Sequence, residues 1–254
     1  MRFVLTRIFK NFPFIYKYWL NYLECSDARY FDKICHAYKI IPMGNHCLPR
    51  VITTLNRLKP PKKYGELSFP FDLCFSDFVS NVKLVDSDFK DFFDDMEFDT
   101  GKNAYVSKKH NCIFNHDQMP FEDFKKRYLA RIDNFFKAVA DTSKHVFFLV
   151  ATYQQIENKD LEFFVSTINK YRDFSTYSII IVNQSNKQIA HNLENVYCID
   201  LFNDKTFGEI NKNGDWAGEL KRMKNPYARK FNAKIAPNIA KIIRAVLKRC
   251  CTKY

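Results

Sequence analysis

At 254 residues, 46% of them apolar and 27% charged, the chain is long enough to bury a sizeable core and too apolar to be a disordered segment. The formal charge is +12, from 40 Lys and Arg against 28 Asp and Glu; eleven of the basic residues and none of the acidic ones lie from Leu220 onward, leaving 29 basic against 28 acidic in residues 1–219. No run of about twenty nearly uncharged residues could span a bilayer, and the opening segment, broken by Arg2, Arg7, Lys10 and Lys17, lacks the small-residue cleavage site of a secretory signal.

The expected location is therefore cytoplasmic, with a peripheral place at the inner face of the membrane as the alternative. In a reducing compartment the eight cysteines are expected as thiols, and none form a Cys-x-x-Cys pair. His110, Cys112 and His116 cluster in sequence, but on an expected strand and loop, and no metal site is assigned to them.

In chain order, a basic, aromatic helical segment is expected over residues 1–30, with a helix or helix pair over about 2–24. A strand over 38–43 ends at Gly44. A helix follows over about 47–58, with Val51, Leu55 and Leu58 on one face, stopped by Pro60 and Pro61. The stretch KKYGELSFPFDLCFSD reads as loop, and FSDFVSNVKLV and FKDFFDDM read as two helices. Residues 103–119 look extended, and Phe121, Phe124, Tyr128, Ile132, Phe135 and Val139 mark a helix over 121–140.

The apolar runs HVFFLVAT, YSIIIVNQ and VYCIDLF are continuous rather than alternating, and the helix LEFFVSTINKYR separates the first two. That pattern marks strands covered on both faces. The expected fold is a single α/β domain over 1–254, with a mostly parallel sheet of four or five strands, helices on both faces, and N- and C-terminal helices added. The closing helix carries Ile235, Ile239, Ile242, Ile243, Val246 and Leu247 at helical spacing, with Lys234, Lys241, Arg244 and Lys248 between them. Pro237 fits its first turn better than its middle. Its basic face is either solvated or meets an anionic membrane surface or another polyanion; no nucleic-acid motif accompanies the charge.

The carboxyl ends of parallel strands form a ligand crevice, and Gly44, Asn45, His46 and Cys47 fall there. A Cys at a helix N-terminus lies near free N–H groups that favour its thiolate, while Gly44 permits a sharp turn and Asn45 can donate to an oxyanion. The bland alternative is a buried structural Cys. A nucleophilic thiol needs a base. His46 is adjacent to Cys47, where neighbouring side chains point apart, and His145 and His191 are expected at the surface. His36 falls on the approach to the first strand, which leaves His110 and especially His116, with Asp117 beside the latter to orient the ring and Asp72 of FPFDL as a competing orienter or a cap of the following helix. GDWAGE, residues 214–219, is a further loop that could reach the crevice.

GNHC, FPFD, DFKDFF, FNHD, FKKRYLARIDNFFKAV and HVFFLV, in this order and spacing, resemble a bacterial family of domains of unknown function described as papain-like cysteine peptidases. The resemblance covers roughly residues 38–152 and implies Cys47, His116 and Asp117 as reactive residues, with Asp72 a further candidate. The chain departs from that pattern at Leu73, where Trp is usual, at Ala151, where Arg is frequent, and at His46, which separates Asn45 from Cys47. The resemblance implies a thiol hydrolase acting on a peptide, and a papain-like fold whose His lies on an antiparallel sheet, whereas residues 145–202 read as parallel α/β. The turn at Gly44 is also similar to the Gly-Asn-Cys start of capsule-polysaccharide acetyltransferases and to the Gly-Asp-Ser start of doubly wound esterases. This second similarity implies an acyltransferase or esterase acting on a glycan, with acetyl-coenzyme A as the acyl donor in the acyltransferase case alone, although the chain has no specific coenzyme A motif. A non-enzymatic glycan- or membrane-binding module is the reading from another class.

Overall fold

The computed structural model describes residues 6, 10, 13–185, 187–201 and 226–251. Four strands, β1 (Tyr38–Gly44), β5 (His145–Thr152), β6 (Tyr177–Asn183) and β7 (Val196–Asp200), form an all-parallel sheet in the order β1-β5-β6-β7. Every residue of β5 and β6 is buried, as two central strands with both faces covered require, which accounts for their unbroken apolar runs. The fold is α/β, as the sequence leads one to expect.

The helices are α1 (Pro13–Ala37), α2 (Leu48–Leu55), α3 (Phe78–Asp86), α4 (Phe121–Ala140), α5 (Asn158–Ile168) and α6 (Pro226–Cys251). Alternation along the strands splits the core in two. Ile41, Met43, Val146, Phe148, Val150, Ile179 and Ile181 meet α3, α4 and α5 on one face. Ile40, Phe147, Leu149, Ala151, Ile180 and Val182 meet Phe31 and Ile34 of α1, Leu48 and Ile52 of α2, and Ile235, Ile239, Ile243 and Val246 of α6 on the other.

A second, antiparallel sheet joins β2 (Glu97–Asp99), β3 (Ala104–Ser107) and β4 (Cys112–Phe114). It packs Phe114 on Phe92, Phe124 and Tyr128, the last two with ring centroids 4.4 Å apart. Phe92, Phe114, Phe124 and Tyr128 are all among the most buried side chains, so this aromatic cluster anchors the small sheet to α4.

Several boundaries differ from expectation. FKDFFDDM is not a helix: Asp88 and Phe89 adopt left-handed backbone (φ 54° and 57°), and residues 87–96 follow as successive turns closed by i→i+3 bonds such as Phe92 N–H to Phe89 O at 3.2 Å. Burial of Phe89 and Phe92 holds these turns, and aromatic spacing alone did not separate them from a helix. The helix after Cys47 stops at Leu55, well before Pro60. There Leu58 N–H donates to Thr53 O (2.9 Å) and Arg57 N–H to Thr54 O (3.2 Å), the two bonds of a Schellman cap, with Arg57 (φ 59°) in the place usually given to Gly. Arg57 is held in that conformation by Asp27 at 2.6 Å and by the rings of Tyr30 and Phe31. Pro237 lies inside α6, because the helix begins eleven residues earlier, and its exposed position keeps its ring away from the sheet. The first helix described is α1, running to Ala37 rather than ending near residue 24. The GDWAGE loop lies outside the described residues.

Candidate functional site

The register levels the carboxyl ends of the sheet: Gly44 pairs with Ala151, Thr152 with Asn183, and Asn183 with Asp200. Backbone bonds extend the ladder one step further, from Asn45 N–H to Ala151 O (2.8 Å) and from Gln184 N–H to Thr152 O (2.7 Å). Three loops therefore meet in one row: Gly44 to Cys47, Thr152 to Ile156, and Asn183 to Ser185. Gly44 is what permits the first of them. Its φ is +126°, and a Cβ there would lie 2.2 Å from the carbonyl oxygen of Ala151 and 2.6 Å from its nitrogen. The Gly44 carbonyl in turn accepts from Ser76 Oγ (3.3 Å) and Asn81 Nδ2 (3.4 Å), which ties the turn to the loop after FPFD and to α3.

Cys47 stands at the N-cap of α2, and its carbonyl accepts from Val51 N–H at 3.0 Å. A helix N-terminus favours a thiolate, but burial opposes it and here burial wins: Cys47 is 4% exposed and its thiol is pushed up to about 11. Cys74, also buried, is pushed up to about 12 chiefly by burial, with the sulfur of Cys47 a near neighbour that adds to the effect. His46 fills the same turn. Its Nδ1 accepts from Leu48 N–H (3.2 Å), which leaves the proton on Nε2 to donate to Gln184 Oε1 (3.0 Å). The ring stacks on half-exposed Tyr153, with centroids 5.8 Å apart and 17° between planes, and burial lowers its pKa to about 4. Burial thus opposes proton transfer from Cys47 to His46 at both ends, holding the thiol protonated and the imidazole neutral. The turn as folded holds a thiol beside a neutral imidazole, not a thiolate–imidazolium pair.

The two carboxylates nominated as orienters are engaged elsewhere. Asp117 directs Oδ1 to Arg127 (2.6 Å) and Oδ2 to Tyr128 Oη (2.7 Å) and Arg131 (3.3 Å), while His116 beside it is exposed. Arg127, Tyr128 and Arg131 share one face of α4 at i, i+1 and i+4, and a buried carboxylate takes the partners that neutralise it. Asp72 accepts from Phe69 N–H (3.2 Å) and lies 3.5 Å from Lys59 and 3.6 Å from Arg50, both of which also contact Glu66. It therefore belongs to a four-membered buried ion cluster and does not cap the next helix; Asp77 does that, accepting from Ser80 N–H at 2.8 Å. His145, expected at the surface, is buried against Ser178 (3.0 Å), and burial lowers its pKa to about 4.

Among the described residues no three His, Cys, Asp or Glu side chains are grouped as a metal ion would need; His110 Nε2 instead lies 3.0 Å from the Asp91 carbonyl oxygen. A cavity of about 120 Å³ opens at the opposite pole of the sheet, lined by Tyr38, Lys59, Glu66 and Phe69 among others, and Cys47 is not part of it.

The carboxyl edge of the sheet includes residues that sequence reasoning passed over. Gln154 Oε1 accepts from Asn45 Nδ2 (2.9 Å), and Gln184 holds His46. Gln184 directly follows β6 and Gln154 lies two residues past β5, and that placement after apolar strand runs was the available signal. Asn45 Oδ1, Asn81 Oδ1 and Gln184 Nε2 are buried without a hydrogen-bond partner, two acceptors and a donor around one turn. No protein-family model matches the chain, and neither a curated protein nor a solved structure matches it.

Proposed function

We propose that the chain is a cysteine-dependent acyl-transfer enzyme, described here in a closed form, with Cys47 as nucleophile. The observation that carries the reading is the turn itself: a left-handed Gly44 locked against Ala151 sets Cys47 at the start of α2, on the carboxyl edge of a parallel sheet. The order of the GNHC, FPFD and FNHD motifs supports the same reading and favours a thiol hydrolase of the cysteine-peptidase type; an ester- or glycan-directed acyltransferase is the alternative.

In this mechanism the turn opens, the Cys47 sulfur bonds to the acyl carbon and its proton passes to an imidazole. The oxyanion meets the freed N–H groups of α2 and the Asn45 amide. The leaving group then takes the proton, and water or a hydroxyl releases the acyl group from sulfur. His46 is the imidazole of this turn; His116 takes the role only if its loop is carried to the crevice. Opening is required because the closed turn makes the proton transfer so costly. Amides and hydroxyls line the crevice at Asn45, Ser76, Gln154 and Gln184, which suits an uncharged donor better than the phosphates of coenzyme A.

The burial of Cys47 and the neutral state of His46 favour a second reading, a binding module for an uncharged polar ligand with no chemistry at sulfur. Acyl trapping separates the two. Incubation with p-nitrophenyl acetate followed by peptide mass analysis is expected to place an acetyl group on Cys47, released by hydroxylamine and absent in Cys47→Ala. Acetylation confined to lysines and exposed Cys25 would leave only the binding module.

A further inference from the structure

The two ends of the chain share a charge pattern. Residues 1–23 hold four basic residues and no acidic one, and residues 220–254 hold eleven and none, so the intervening 24–219 has 25 basic against 28 acidic. The described helices nearest the two ends, α1 and α6, lie on one side of the sheet. α1 and α6 pack on the same face of the parallel sheet, flanking α2, while α3, α4 and α5 occupy the other.

α1 is longer than its seat. Its 25 residues extend roughly 37 Å, yet among its described side chains only Phe31 and Ile34, near its C-terminal end, are buried. The amino-terminal half presents Phe14 (83% exposed), Tyr18 (77%) and Tyr22 (62%) at i, i+4 and i+8, with Ile15 and Leu20 also exposed. Six of the nine large apolar or aromatic side chains that stand exposed among the described residues lie on α1, which makes this a patch and not scatter. Lys17 is exposed within it. On α6 the buried stripe of Ile235, Ile239, Ile243 and Val246 leaves Lys241, Arg244 and Lys248 exposed on the outer side.

We propose that α1 and α6 together form a docking face for an anionic lipid bilayer. Aromatic rings on a helix that also carries lysine suit the boundary between headgroups and acyl chains, and the cationic face of α6 complements lipid phosphates. No helix among the described residues is long and apolar enough to cross a membrane, so contact is by lying on the surface. The proposal stands independently of the chemistry at Cys47.

Flotation of the full chain with phosphatidylcholine vesicles, with and without one part in three of phosphatidylglycerol, tests it. Binding is expected only to the anionic vesicles, at about 0.1 M salt, and lost near 0.5 M. Phe14→Ser/Tyr18→Ser/Tyr22→Ser removes exposed side chains, so its thermal midpoint should be unchanged while vesicle binding falls at least tenfold. Lys241→Ala/Arg244→Ala/Lys248→Ala should weaken binding on the order of a hundredfold. Equal binding to neutral vesicles, full binding by the aromatic variant, or equally tight binding of soluble polyphosphate by the native and aromatic-variant chains would each overturn the proposal. A homodimer seen by light scattering and dissolved by the aromatic variant would reassign the patch to a second copy of the chain.

Discussion

The turn around Cys47 and the cluster around Lys59 are both polar and both buried, yet they are built in opposite ways. At the carboxyl pole of the sheet the polar groups are neutral: Asn45, His46, Gln184 and a protonated Cys47, with three amide atoms left unpartnered. Near Lys59 they are ions, with Arg50 and Lys59 facing Glu66 and Asp72. Paired ions fix an architecture, because removing any one leaves a buried charge uncompensated. Neutral amides can exchange partners without stranding a charge, which is what a turn that opens to a ligand needs. The comparison therefore moves Asp72 from the chemistry to the scaffold, and Asp117, held by two arginines and Tyr128, follows it.

The strongest way to break the carboxyl pole is at Gly44. A Gly44→Ala chain should lose more than about 4 kcal/mol of stability, enough to unfold many domains, because the new Cβ meets the Ala151 backbone and the left-handed φ is disfavoured at once. Urea unfolding would show it, and a native-like midpoint would mean the turn is not locked as described.

At the charged cluster, Glu66→Gln should cost about 3 kcal/mol by leaving the buried Lys59 and Arg50 with Asp72 as their one remaining counter-charge. Burial lowers the Lys59 pKa to about 8. The unfolded chain therefore holds a proton there that the folded chain gives up between about pH 8 and pH 10.5, so folding gains as pH rises through that window. The native chain should gain stability relative to Lys59→Met across that window, and parallel curves would contradict the shift.

The neutral histidines act on the acid side. His46 and His145 stay uncharged in the fold down to about pH 4, whereas the unfolded chain protonates them below about 6.5, so stability falls as pH drops through that interval. Each should contribute a loss of about 2 kcal/mol between pH 7 and pH 5. Replacing His46 by Gln should remove about half of that slope in chemical-denaturation curves, and an unchanged slope would place its ring in water.

Much of the framework was legible. The runs at 145–152 and 121–140 coincide with β5 and α4 because six consecutive apolar residues, Val146 to Ala151, and a long 3.6-residue period each admit one interpretation. The turns at 87–96 and the early end of α2 were not legible, since both depend on non-Gly residues in left-handed backbone held by distant side chains. The place of Gly44 to Cys47 at a strand–helix junction could be read from the sequence. The partners of Asp72 and Asp117 could not, because Arg50, Lys59, Arg127 and Arg131 reach them only through the folded arrangement of α2, its following loop and α4.

The measurement that tests the central claim most directly is the alkylation rate of each cysteine by iodoacetamide in the native chain, read by peptide mass. Cys74 and Cys112, both 1% exposed, are internal clocks for global unfolding, and exposed Cys25 marks the unprotected limit. A nucleophile beneath a turn that opens locally should be modified well before Cys74 and Cys112 though after Cys25, with a rate that rises in Tyr153→Ala, where the ring stacked on His46 is gone. Modification of Cys47 in step with Cys74 and Cys112 would contradict the account and leave it a buried structural thiol.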